Sequence, residues 1–333
     1  MTSGKNIFGK VAKLKEQSCG RRTNQSFDMP DQMLSGELKE LAFKDLREDD
    51  TVREESLRQI KDWIEKNPDI KYCRTDTPFL LRFLRTKKFS VPLTQAMIER
   101  YIAIRQLYPN WFQKLDPQDE KMMGLIDAGY CIPLPERDEL GRRVILTNTG
   151  AFDPSKYTSE DMVRMHSLVV ESLLDEEENQ IRGYTQIYDE SGLTMAHLSI
   201  WSLIDIRNII KCIQNSLPMR HKSTQLINLP PSAGKIFEFF TALLSDKLKK
   251  RLVVHKNLDE LKKDISVDIL PAEYGGKTPM AEMISKFKKE LLTKREALLA
   301  LDKLEIDLAK SKVTEDFEDL NGISGSFRKL EVD

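Results

Sequence analysis

The sequence predicts an α/β domain with a largely parallel sheet, preceded by a small all-α domain. Two changes of pattern predict it. From about Glu37 to residue 110, apolar side chains recur at helical spacing. Near residue 124 the pattern turns to short apolar runs alternating with amphipathic stretches, as strands joined by helices do. The composition agrees, because 40% apolar and 32% charged residues is the balance of a globular chain and not a disordered one.

The elements follow in order. Residues 1–35 are polar and read as a flexible tail. Ile7, Val11 and Leu14 share a helical face among Lys5, Lys10, Lys13 and Lys15, which would suit weak membrane contact, but the composition favours a mobile tail. The helical domain, 37–110, begins with Leu38, Leu41 and Leu46. Leu57, Ile60, Trp63 and Ile64 form a second helical face, ended by Asn67-Pro68. A third helix starts at Asp76-Thr77-Pro78, with proline in its first turn and Phe79, Leu80, Phe83 and Leu84 as its apolar face. A fourth runs from Ser90 through Tyr108.

The α/β domain, 120–279, opens with strands at 130–134 and 143–146 around a turn at 138–141. A helix over 159–181, a strand over 183–189 and a helix over 200–217 follow. A strand at 225–229, an apolar helical segment at 233–250 and a short strand at 252–255 complete the alternation. A single helix is expected over 280–312, then a second tail over 313–333.

Several function classes are disfavoured. The net charge of −1 gives no global field for nucleic acid. Cys19, Cys73, Cys131 and Cys212 lack metal-ligand spacing and read as reduced thiols, so no metal is expected. No apolar run reaches the roughly 18 residues of a membrane span, so a cytoplasmic protein acting from the aqueous side is expected. There is no Gly-x-Ser-x-Gly elbow, and nothing fixes a triad around Ser191 and His197. Gly275-Gly276-Lys277-Thr278 looks like the end of a phosphate loop, but Pro271 stands where its first glycine belongs. No catalytic residue is expected.

The most informative stretch is 217–251. Arg220, His221 and Lys222 form a basic cluster. Past Pro230-Pro231 come Ile236, Phe237, Phe239, Phe240, Leu243 and Leu244, then a second cluster of Lys247, Lys249, Lys250 and Arg251. Apolar surface bracketed by positive charge suits brief contact with an anionic membrane.

Four motifs carry a family resemblance. PFLLRFLRTKKFSV at 78–91 resembles the helical signature of the CRAL-TRIO lipid-binding family. GYTQIYDESGLTMAHL at 183–198 is similar to its central strand and turn, and 217–255 to its strand, mobile gate helix and basic patch. ILPAEYGGKTP at 269–279 is similar to its closing motif. The paired basic clusters resemble the branch that holds α-tocopherol transfer protein, cellular retinaldehyde-binding protein and the clavesins.

The resemblance implies an apolar pocket floored by the sheet and closed by a gate over 231–244. It implies a hydrophobic ligand such as a tocopherol or retinoid, with His166, Val170, Tyr184, Tyr188, Thr224, Leu226, Phe237 and Phe240 lining the pocket. It implies phosphatidylinositol phosphates on Arg220, Lys222, Lys247 and Arg251. Thr241-Ala242 stand where relatives often carry Pro-Phe, so the curvature of their gate does not carry over. The expected protein is a monomeric carrier, transiently peripheral on phosphoinositide-containing membranes. The alternative is a trafficking adaptor that senses phosphoinositide or phospholipid without net cargo transfer.

Overall fold

The computed structural model describes residues 34 and 36–310. The calls on Ile7, Val11, Leu14 and residues 313–333 lie outside them.

Helices α1 (Gly36–Leu46), α2 (Asp50–Lys66), α3 (Thr77–Thr86) and α4 (Val91–Leu107) match the four expected from periodicity. Their starts follow from capping. The Asp49 carboxylate accepts from Val52 N at 2.8 Å, and Asp76 accepts from Phe79 N at 3.2 Å. The region is not all helical, because strand β1 (Ile70–Tyr72) interrupts it. Helix α3 ends in a tight reversal, with Lys88 and Phe89 in the left-handed region at φ 52° and 60°. Side chains other than glycine adopt that conformation only when the surroundings impose it. Here Phe89 packs against both the main core and the small cluster under α1.

Short helices α5 (Pro109–Phe112) and α6 (Glu120–Asp127) lead to β2 (Cys131–Arg137) and β3 (Arg143–Asn148). The expected helix over 159–181 is two helices, α7 (Ser159–Leu173) and α8 (Glu177–Arg182). The break falls at Asp175, whose carboxylate meets Arg82 and Arg74. Strand β4 (Tyr184–Asp189) follows, then α9 (Met195–Ser199) and α10 (Leu203–Asn215) in place of one helix. Strand β5 spans His221–Ile227, so it starts four residues earlier than expected and takes in part of the first basic cluster.

The segment expected as one helix over 233–250 divides into α11 (Gly234–Leu243) and α12 (Asp246–Lys249). Strand β6 (Leu252–His255) and α13 (Leu258–Leu261) complete the central region. The final helix also divides, into α14 (Met280–Thr293) and α15 (Arg295–Ala300), followed by β7 (Glu305–Ile306). Lys294 at the division donates to Ser172 O at 2.7 Å, and Arg295 pairs with Asp116 at 2.6 Å.

The main sheet has the order β2-β3-β4-β5-β6. Only β2–β3 is antiparallel, so the sheet is largely parallel as expected. A second, two-stranded sheet joins β1 to β7 with Ile70 opposite Ile306.

The FLLRFLR motif explains how the helices hold the α/β region. Arg82 and Arg85 are buried, and both point at α7 and α8. Arg82 pairs with Glu171 at 2.9 Å and with Asp175. Arg85 pairs with Glu48 at 2.7 Å and Glu177 at 2.7 Å, and donates to Gln180 Oε1 at 2.8 Å. Tyr101 OH donates to Glu171 at 2.7 Å. Buried charges are tolerated only when paired and hydrogen-bonded in this way.

The Glu-Tyr-Gly-Gly motif is equally structural. Tyr274 OH donates to Asp189 at 2.8 Å, and Asp189 also accepts from Ser191 and Asn228. A Cβ on Gly276 would lie 1.7 Å from Leu270 O, so only glycine fits. Gly276→Ala is expected to lower stability by about 2–4 kcal/mol, since backbone must move. Urea denaturation checks this, and an unchanged midpoint would contradict it.

Candidate functional site

Strand alternation places Tyr184, Gln186 and Tyr188 on one face of β4. Register puts Thr224 opposite Gln186 and Leu226 opposite Tyr188. Helix α7 lies on this face, because His166 sits beside Tyr188 with ring centres 6.5 Å apart. The face is unevenly used. Tyr184 is buried and its hydroxyl donates to Leu173 O at 3.1 Å, so it belongs to the α7–β4 packing rather than to a pocket wall. Val170, Tyr188 and Thr224 are half-buried and Leu226 is nearly enclosed. Beyond them on the same face, by register, Val254 is 49% exposed.

His166 is the polar centre of this region. Its Nε2 lies 2.9 Å from Tyr130 OH, and Cys131 Sγ is 3.7 Å from Nδ1. Burial pushes His166 down to about 4, so the ring is neutral at physiological pH. The sequence reads Tyr130 only as a strand residue and Cys131 as a strand residue and reduced thiol, not as partners of His166.

Helix α11 is very apolar, yet none of its residues is buried. Phe237 is half-buried and Phe240 is 36% exposed. Its C-terminal end is tied to α10: Gln214 donates to Leu243 O at 3.2 Å and accepts from Ser245 N at 2.7 Å. Leu244 is extended, so the chain breaks there before α12.

The four expected basic residues come together, with different roles. Arg220 donates to the carbonyls of Gln180 and Ile181, and Arg251 to that of His221, so both guanidinium groups are fixed by backbone. Lys222 pairs with Asp45 at 3.0 Å, while Lys247 is exposed. Partial loss of water around its ammonium group, then the charges of Arg251, Lys88 and Arg220, lowers Lys247 from the ordinary lysine value. Burial and Arg142 lower Arg251. Burial, Arg100 and Lys247 lower Lys87.

The cluster therefore extends to Lys87, Lys88 and Arg142, which sequence reasoning missed. Their signal was the Lys-Lys pair after FLRT and the Gly-Arg-Arg turn, and such charge runs usually mark ordinary solvated surface. Cations gathered in this number around one carboxylate, Asp45, leave an excess of positive charge that suits a multivalent anion.

The other candidate chemistry is locally occupied. Ser191 Oγ donates to Asp189 at 2.7 Å, and His197 Nδ1 caps α9 through Thr194 Oγ1 at 2.8 Å. Among the described residues, no group of three or more His, Cys, Asp or Glu side chains is placed to hold a metal ion. Among them also, no helix is long and apolar enough to cross a membrane.

Known proteins resemble the chain in both regions. The CRAL/TRIO domain profile matches residues 127–276, and the profile described as Pinta-like, UBA domain matches 49–122. Clavesin-1 of Xenopus laevis is 31% identical over 251 residues, covering 75% of this chain and 76% of that protein. Clavesin-2 of Homo sapiens is 29% identical over 251 residues, covering 75% and 77%. The crystal structure of Sfh5 aligns over 80% of this chain and 99% of that one, with 14% identity and a TM-score of 0.47. The two matched regions, the four motifs and the shared length place the chain in the CRAL-TRIO family, on its clavesin branch.

Proposed function

We propose that the chain carries a hydrophobic small molecule of tocopherol or retinoid type and exchanges it at phosphoinositide-containing membranes. The observation that carries this reading is α11, an apolar helix with no buried residue. Leaving apolar surface unburied forgoes roughly 25 cal/mol per Å². Apolar surface left open in this way marks an interaction or ligand-binding site. Covering a ligand over the Tyr188–Leu226 face is one such use, and entering a bilayer is another. Neutral His166 with Tyr130 offers hydrogen bonds to one ligand head group.

The basic cluster stands where α12 leaves the gate. Arg and Lys each contribute about 1 kcal/mol near an anionic surface, so headgroup binding there would hold the protein while α11 opens. The protein would act as a monomer, cytoplasmic and transiently peripheral on the membrane, with no covalent chemistry.

The test is vesicle-to-vesicle transfer by a variant with Arg220, Lys222, Lys247 and Arg251 all changed to Gln. Ligand affinity is expected to stay within about twofold, while transfer to phosphoinositide vesicles slows by about tenfold or more. Unchanged transfer would refute the proposal. Headgroup-dependent binding with no ligand transfer by the unmodified protein would instead favour the adaptor.

A further inference from the structure

Helix α1 brings Asp45 into the basic cluster. Asp45 Oδ2 lies 3.0 Å from Lys222 Nζ and 3.6 Å from the Arg220 guanidinium. Among the described residues, no other carboxylate forms an ion pair with either cation. Burial alone would raise the Asp45 carboxyl, but Lys222, Arg220 and Lys88 hold it below its ordinary value, so it is an anion.

The helix that carries Asp45 is anchored on one face only. Ala42 and Leu46 are buried with Ile181 in a small apolar cluster that Phe89 joins to the main core. Phe43 on the same helix is 61% exposed. Two ion pairs, Lys39–Asp50 at 2.6 Å and Glu37–Arg182 at 2.7 Å, each have a largely exposed partner and contribute little. The cluster thus contains its own anion, on a half-buried side chain that can rotate away without moving its helix.

We infer that Asp45 is a built-in competitor for the headgroup and sets a charge threshold, so that the site takes inositol headgroups bearing two or more phosphates in preference to lipids with one negative charge. The chemistry is a contest for Arg220 and Lys222. A singly charged lipid offers no more charge than the carboxylate already in place. Each phosphate monoester carries about −1.5 to −2 charge and three acceptor oxygens. A bisphosphorylated ring can displace Asp45 and also engage Lys88, Lys247 and Arg251, which Asp45 does not pair. This deepens the membrane reading above and rests on it.

The test compares the full chain with its Asp45→Asn variant in co-sedimentation with vesicles. One set carries phosphatidylserine and the other phosphatidylinositol bisphosphate, matched in total charge. Asparagine keeps the side-chain size, so α1 retains its packing. The variant is expected to gain about fivefold on phosphatidylserine vesicles and less than about twofold on bisphosphate vesicles, narrowing the preference between them.

Equal gains on both vesicles, or no gain on phosphatidylserine, would overturn the inference. Lys222→Ala with Lys247→Ala tests the underlying reading separately, because neither ammonium holds the backbone. Full bisphosphate binding by that variant would remove the headgroup site itself, whatever Asp45 does.

Discussion

Arg85→Ala is expected to lower folding stability by about 3–5 kcal/mol, read as a shift of the urea midpoint at unchanged slope. Arg85 is 0% exposed and is the shared partner of Glu48 and Glu177. Alanine removes the cation and strands Glu48, a buried carboxylate, with Arg53 at 3.6 Å as its remaining ion-pair partner. It also leaves Gln180 Oε1 without its donor. The mechanism has its own control. Arg85→Met combined with Glu48→Met removes both charges and fills the space, so it should recover at least about half of the loss. A single-variant loss below about 1 kcal/mol would show that the arginine is not the clamp described above.

The second large effect concerns function with little change in stability. Phe237→Asp with Phe240→Asp should cut ligand transfer to vesicles by about 100-fold. Each ring contributes about 1.5–3 kcal/mol when taken out of water, and a carboxylate in its place opposes membrane entry. Since α11 has no buried residue, stability should change by less than about 1 kcal/mol. Transfer kinetics and urea denaturation of the same preparation decide between two roles for the helix. A large loss of stability would make α11 ordinary core. Normal transfer would mean that α11 does not enter the membrane.

Much of the fold was legible because its signals are local. Asp76 and Asn67-Pro68 mark helix boundaries within a few residues of themselves, and the structure keeps both. What was misread depends on distant partners. Strand β5 begins with His221, Lys222 and Ser223, which carry no apolar pattern; the hydrogen bond from Tyr184 N to Arg220 O, 3.0 Å long, recruits that stretch into the sheet. The division of the last helix is set by contacts of Lys294 and Arg295 with residues more than 100 positions away, which no periodicity records.

The basic patch divides in the same way. Arg220, Lys222, Lys247 and Arg251 lie in one motif-bearing stretch. Lys88 joins them through a left-handed turn, Arg142 through a hairpin, and Asp45 through a helix from the other end of the chain. Each looks like an ordinary surface charge until the fold brings it in. Alternation groups Tyr184, Gln186 and Tyr188 on one face of β4, but that Tyr184 packs against α7 depends on Leu173, which alternation does not reveal.

The long-range clamp also imposes an order of events on the ribosome. Arg82 meets Glu171 across 89 positions of sequence, and Gln106 meets Ile306 across 200. At about 5–20 residues per second, α3 waits roughly 4–18 s for the carboxylate that neutralises Arg82. Helix α4 waits about 10–40 s for the backbone that closes Gln106. Arg85 already has Glu48 from the first region, but through that interval Arg82 has neither of its carboxylate partners and cannot be buried at low cost beside the phenylalanines of its helix. The nascent first region is thus kept from closing on itself until its partner has been made.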